Sequence, residues 1–152
     1  MPSAQDRIRA QLLHSIAEVA CTLVSGRAAS VALLDDDELV FVATAGIAAD
    51  EVEGARIRAT EGVAGQVLAS GEPVLAGDLS KEPRFAREIA IATGYEPDAM
   101  AVAPIRRAGE VIGVIEVLDP MPDPSLLVPL TLLAAHAAVA LDVSAELTGG
   151  QG

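Results

Sequence analysis

Aromatic side chains are scarce in this chain: 2% of its 152 residues, with no tryptophan, so that Phe41, Phe85 and Tyr95 are its only rings. A site that relies on stacking has little to work with. Cysteine occurs once, at Cys21, which excludes a disulfide framework and an intramolecular cysteine cluster. Basic residues number 10 against 22 acids, a net charge of −12. Phosphate backbones and anionic lipid are held by Lys and Arg, and no basic stripe is present, so nucleic acid and membrane surfaces are not expected partners. The acidity itself is read as a solubility feature. A bilayer-spanning helix needs about 20 apolar residues. The most apolar stretch, Leu126 to Leu141, is shorter, Ala-rich and interrupted by Pro129 and His136, and reads as a buried helix. Met1 to Gln11 is polar where a secretory signal would be apolar. The expected compartment is the cytoplasm.

Hydrophobic residues make up 51% of the sequence and charged residues 21%, the balance of one folded domain with an aliphatic core. Residues about Gln5 to Ser25 predict a helix, because Ile8, Leu12, Ile16, Val19 and Leu23 recur at spacings of four and three. Ala29 to Leu34 and Leu39 to Thr44 predict a hairpin around Asp35-Asp36-Asp37-Glu38. Four adjacent acids raise the question of a metal, but no histidine or further ligand accompanies them, and a solvated turn is the simpler reading. Glu53 to Thr60 predicts a third strand, Gly62 to Ser70 a short helix closed by Gly71, Glu72 to Ala76 a brief strand, and Arg84 to Ala92 another helix. Met100 to Arg106 and Val111 to Leu118 flank an Ala108-Gly109 turn. A last helix runs from about Ser125 to Leu147, capped by Asp123 or Ser125, with Pro129 tolerable only near its first turn.

Several ordered stretches carry a resemblance. Gly62-Val63-Ala64-Gly65-Gln66-Val67, Ser70-Gly71-Glu72-Pro73-Val74, Asp78 and Glu82-Pro83-Arg84-Phe85, then Ala101-Val102-Ala103-Pro104-Ile105 and Val111-Ile112-Gly113-Val114-Ile115-Glu116-Val117, together resemble the GAF domain signature over about Ala28 to Leu118. The resemblance implies an α+β, GAF/PAS-like fold: a central antiparallel sheet, terminal helices on one face, and short helices and loops over a pocket on the other. It divides the chain into a dimerising or signalling helix (1–27), the core (28–119), a helix packing on the first (120–147) and a tail (148–152). It also implies a sensory or regulatory module, in a family that includes cyclic-nucleotide, bilin, haem and amino-acid-type sensors as well as domains with no known ligand.

The residues narrow that range. Bilin attachment needs a cysteine in the ligand region and reductase chemistry needs several, whereas Cys21 lies on the first helix. Haem needs a histidine, and His14 and His136 lie on the terminal helices. No Walker loop, Gly-x-Ser-x-Gly or nucleophile beside a histidine is present. The expectation is a non-enzymatic module without a cofactor that signals to a separate protein. Asp78 reads as a backbone acceptor and Phe85 as a core anchor. Glu116 has two readings: an edge-exposed ion pair with Arg106, the simpler, or a ligand contact. On the last strand Ile112, Val114, Glu116 and Leu118 are expected on one face. A mostly apolar ligand would sit under the Leu79 to Asp98 segment, against Val67, Arg84, Phe85, Ile89, Tyr95, Met100, Ile112, Val114 and Glu116. The alternative is a ligand-free docking module whose pocket fills itself. A homodimer is expected through Leu12, Ile16, Leu23, Leu130, Leu133, Ala137 and Leu141, because the last helix is apolar nearly all round.

Overall fold

The computed structural model describes residues 1–47, 49–82 and 94–149, with side chains as far as 142. Helix α1, Ala4–Leu23, opens on a capping box. The Ser3 hydroxyl accepts the Asp6 N–H, and the Asp6 carboxylate accepts the Ser3 N–H, each at 3.1 Å. It stops where Ser25 turns left-handed (φ 53°) ahead of Gly26. Strands β1 (Ala28–Asp35) and β2 (Glu38–Gly46) follow as a hairpin. The four acids form its exposed turn, and Arg56 ion-pairs with Asp35 at 3.0 Å and Glu38 at 3.1 Å.

The region expected as one strand, Glu53 to Thr60, is mostly not one. A short helix α2, Ala49–Val52, comes first, Glu53 and Gly54 turn, and β3 covers only Arg56–Arg58. Gly54 sits at φ 89° and donates its N–H to Phe41 at 2.8 Å, which breaks the extended run. Helix α3 (Gly62–Ser70) ends on Gly71 at φ 72°, the left-handed cap expected from the sequence. Strand β4 (Val74–Ala76) leads to a 3-10 turn, Leu79–Lys81, whose cap is Asp78. Strands β5 (Met100–Arg107) and β6 (Glu110–Leu118) make the last hairpin. A 3-10 turn, Pro124–Leu126, capped by Asp123, feeds helix α4, Leu127–Gly149, and Pro129 falls in its first turn. Pro83, Arg84, Phe85, Ile89 and the helix expected around them lie outside the described residues.

The six strands form one antiparallel sheet in the order β3-β2-β1-β6-β5-β4. Helices α1 and α4 cover one face, joining Leu13, Ala17, Ala20, Leu130, Ala134 and Leu141 to the sheet's Val31, Ala103, Ile115 and Val117. The other face packs beneath α3, where Val63 and Val67 meet Val102 and Val114. By length and composition the 19 residues Pro124–Asp142 are long and apolar enough to cross a membrane, where too short a run was expected. Leu126, Leu130, Ala134, Ala137 and Leu141 are nevertheless buried in the core on α1 and the sheet.

One expectation for β6 is corrected by its register. The β5–β6 pairing slips between Ile105 and Arg106, so Ile105 faces Gly113 and Arg106 faces Val111. Ile112 falls in the slip and packs with the terminal-helix cluster, not with Val114 on the cavity side. Gly113 makes room for the neighbouring strand: a Cβ there would lie 2.3 Å from the Ala32 carbonyl on β1.

Candidate ligand-binding site

A cavity of about 70 Å³ opens on the sheet face opposite the terminal helices. Its floor is supplied by β1, β2, β5 and β6 through Ser30, Phe41, Thr44, Met100, Glu116 and Leu118. Its roof is α2 with Ala49 and Val52, the turn into α3 with Glu61 to Ala64, and the segment carrying Tyr95 and Pro97. Sheet pairing places the polar floor residues in a line: Thr44 is opposite Ser30, and Ser30 is opposite Glu116. Directly opposed residues project to the same side of a sheet, so the three form a polar row across an otherwise aliphatic surface.

Glu116 is 8% exposed, and burial pushes its carboxyl up to about 7. No hydrogen bond or ion pair reaches it among the described residues. The expected partner, Arg106, is elsewhere. The register slip sets it opposite Val111, near the β5–β6 turn, and its guanidinium donates to the carbonyl of Gly71. Glu116 is therefore a buried carboxylate on a cavity wall, not an edge ion pair. The Thr44 hydroxyl donates to the Ala49 carbonyl at 2.6 Å, fastening the roof helix to the floor.

Tyr95 is held from outside the cavity. Its hydroxyl donates to the Asp119 carboxylate, which also accepts the N–H groups of Asp98 (2.9 Å) and Ala99 (3.0 Å). Burial, then the Asp119 contact, raises the phenol well above its ordinary value. The guanidinium of Arg27 lies 5.9 Å from the ring centroid, a cation–π distance.

The structure brings Tyr95, Met100 and Glu116 together on the cavity. Val67 and Val114 are fully buried beneath α3, outside the lining. The cavity therefore lies nearer α2 and the β1–β2 hairpin than the sequence suggested, because α3 seats directly on β5 and β6 and fills that part of the sheet. Arg84, Phe85 and Ile89 are outside the described residues. Ser30, Thr44 and Asp119 were missed. A lone small polar residue in each strand of the first hairpin was the available signal for the first two. Asp78 is not in the lining; its carboxylate accepts from the Ser80 N–H (3.1 Å) and hydroxyl (2.6 Å), which lowers its own pKa. Cys21 is on α1, its thiol 3.2 Å from the Gly26 carbonyl, with burial raising its pKa. Of the residues expected at a dimer interface, Leu12 and Leu23 are exposed and Ile16 and Leu133 half-buried, while Leu130, Ala137 and Leu141 are buried in the chain's own core.

A sheet with helices behind it and a roofed cavity in front is the architecture of a small regulatory α+β module. The sequence profile of the GAF domain matches residues 9–141, and the chain belongs to that family, whose members are generally regulatory. It superposes on the GAF domain from a phosphoenolpyruvate-protein phosphotransferase of Coxiella burnetii with a TM-score of 0.79 at 23% identity, over 93% of this chain and 86% of that one. A free methionine-R-sulfoxide reductase from Neisseria meningitidis, in complex with its substrate, superposes at 0.76 with 24% identity, over 91% and 81%. At these identities the likeness is one of fold. In sequence, 73 residues are 42% identical to the dual 3',5'-cyclic-AMP and -GMP phosphodiesterase 11 of Drosophila melanogaster, covering 47% of this chain and 5% of that protein. The chain spans 17% of the length of a second curated relative.

Proposed function

We propose that this GAF domain is a non-enzymatic regulatory module that binds a small, largely apolar molecule in the cavity and signals as a homodimer, through its terminal helices, to a separate protein. The observation that carries the reading is the cavity itself: a largely apolar hollow roofed by short elements, with a few polar groups on its floor, is the usual composition of a ligand site. A route outward also exists. Glu53, directly after roof helix α2, meets His14 on α1, with Nε2 and Oε1 2.5 Å apart. A ligand that shifts α2 thereby acts on the helix that carries the exposed apolar stripe.

Catalysis has little support at the cavity. Its lining offers Ser30, Thr44, Tyr95, Glu61 and Glu116 but neither cysteine nor histidine among the described residues. The reductase neighbour shares the fold, yet the one cysteine here is on α1, across the sheet from the cavity. The compartment expected for such a module is the cytoplasm.

The test is a thermal-shift screen of metabolites, cyclic nucleotides among them, with native mass spectrometry of the purified protein. A ligand bound to the folded state raises the melting temperature once it exceeds its dissociation constant, and Ala64→Met, which fills the cavity, should abolish that rise. A rise that survives Ala64→Met would place binding elsewhere. No retained mass and no rise with any compound would favour a self-filled docking module.

A further inference from the structure

We infer that the cavity selects small organic cations, molecules with a protonated amino group on a short apolar body, and that the amino group sits against Glu116. This rests on the cavity being a ligand site and adds the chemistry of the ligand.

The selection follows from the charges and acceptors that line the hollow. Glu116 is more than nine-tenths buried, lies on the cavity wall, and is without a partner among the described residues. A buried carboxylate lacking a counter-charge is costly, and a ligand that supplies donors and positive charge recovers that cost on binding. From β1 and β2 come the hydroxyls of Ser30 and Thr44; the Thr44 proton is committed to Ala49, so its oxygen is left as an acceptor. From the turn before α3 comes Glu61, a second acid. From the roof segment comes Tyr95, whose proton is committed to Asp119 and whose ring is where Arg27 rests. No lysine or arginine is among the described lining residues. The charged side chains of the lining are thus acids, Glu116 buried and Glu61 exposed; an ammonium offers three donors, and Glu116 with Ser30 and Thr44 forms a row on which those donors can be met. An anionic ligand would face both acids. Phe41, Met100 and Leu118 leave an apolar wall for the body of the molecule, and a cavity of about 70 Å³ suits a small one.

The experiment compares linear primary amines of three to six carbons with the alcohols and carboxylates of the same lengths, by calorimetry and thermal shift. The proteins are wild type, Glu116→Gln and Ala64→Met. The expected result is that amines bind wild type at least about tenfold more tightly than the matching alcohols, a charge-assisted contact being worth that much or more. In Glu116→Gln, which keeps shape and removes charge, amine and alcohol should converge. The carboxyl ¹³C resonance of Glu116 gives a second readout: its titration midpoint, about 7 in the free protein, should fall when amine saturates the site. Alcohols that bind wild type but not Ala64→Met, with amines binding no better, would overturn the cation selectivity and leave the cavity as a ligand site. Amine binding that is unchanged in Glu116→Gln would overturn the contact. Absence of binding by every probe would overturn the ligand-site reading along with it.

Discussion

Glu116 has its ordinary pKa of 4.5 raised to about 7 by burial, and the sign of the effect on stability follows from proton counting. Between those values the folded state holds a proton that the unfolded state has lost, so stability falls as pH rises from about 5 to 8. The full shift corresponds to about 3 kcal/mol. Glu116→Gln is expected to remove that slope and to be the more stable protein at pH 8 by about 2 kcal/mol, read from urea unfolding at pH 5 and pH 8. Asp119 accepts from two backbone N–H groups and the Tyr95 hydroxyl. Asp119→Ala strands those donors and should cost about 1–3 kcal/mol, whereas Tyr95→Phe, which removes one bond, should cost about 1 kcal/mol. Equal losses in the two variants would show that the backbone contacts contribute little. The peculiarity of Glu116 was legible in the sequence, as the one charge in an apolar strand. Its lack of a partner was not, because that depends on the β5–β6 pairing, which sets Val102 and not Arg106 opposite it. Asp119 was illegible for a related reason: the donors it gathers lie about twenty positions away.

At the level of elements, the long ones were readable and the short ones were not. Helix α1 and the strands β1, β2, β5 and β6 follow from periodicity and turn residues, while α2 has four residues, Ala49–Val52, too few for any period to show. Yet α2 roofs the cavity and is tied twice, by Thr44 to the sheet and by Glu53 to α1. His14 is placed for both of its ring nitrogens to donate, Nδ1 to the Ala10 carbonyl at 2.8 Å and Nε2 to Glu53 at 2.5 Å. The Ala10 contact foremost, and Glu53 after it, raise the imidazole above 6.5 against a desolvation effect that lowers it. A raised histidine stabilises below its unfolded value and loses that contribution as pH climbs through the folded one. The α1–α2 tie is therefore expected to weaken above neutral pH. NMR titration should place the His14 midpoint above 6.5 in the wild type and lower in Glu53→Gln. Amide exchange over Ala49–Gly54, corrected for intrinsic rate, should speed up in that variant. An unmoved midpoint would mean that the contact is not formed in solution.

The whole molecule presents one surface that its own fold leaves uncovered. On α1, Ile8, Leu12, Val19 and Leu23 are 36–46% exposed, and on α4 Val128, Leu132 and Val139 are 59–66% exposed. Each set keeps helical spacing, and both helices lie on the same side of the sheet. The sequence indicated that α4 has apolar residues beyond what one packing surface needs. It did not indicate which ones: Leu130, Ala137 and Leu141, expected outside, are buried, and Val128, Leu132 and Val139 carry the excess. A twofold four-helix packing of the two helices with their copies would bury both sets at once. Homodimerisation through this face predicts a sedimentation mass of twice 15.5 kDa at micromolar concentration. A single charge in the stripe, Leu132→Glu, should shift the dissociation constant upward by about a hundredfold or more, because an unpaired carboxylate would be buried in the interface. Position 132 is exposed within one chain, so the melting temperature at high dilution should stay within a few degrees of the wild type. Leu130→Glu, whose side chain sits in the protomer's own core, should instead unfold the chain, and the contrast separates interface from core. A wild-type protein that sediments at 15.5 kDa across the micromolar range would show that the stripe does not pair with itself.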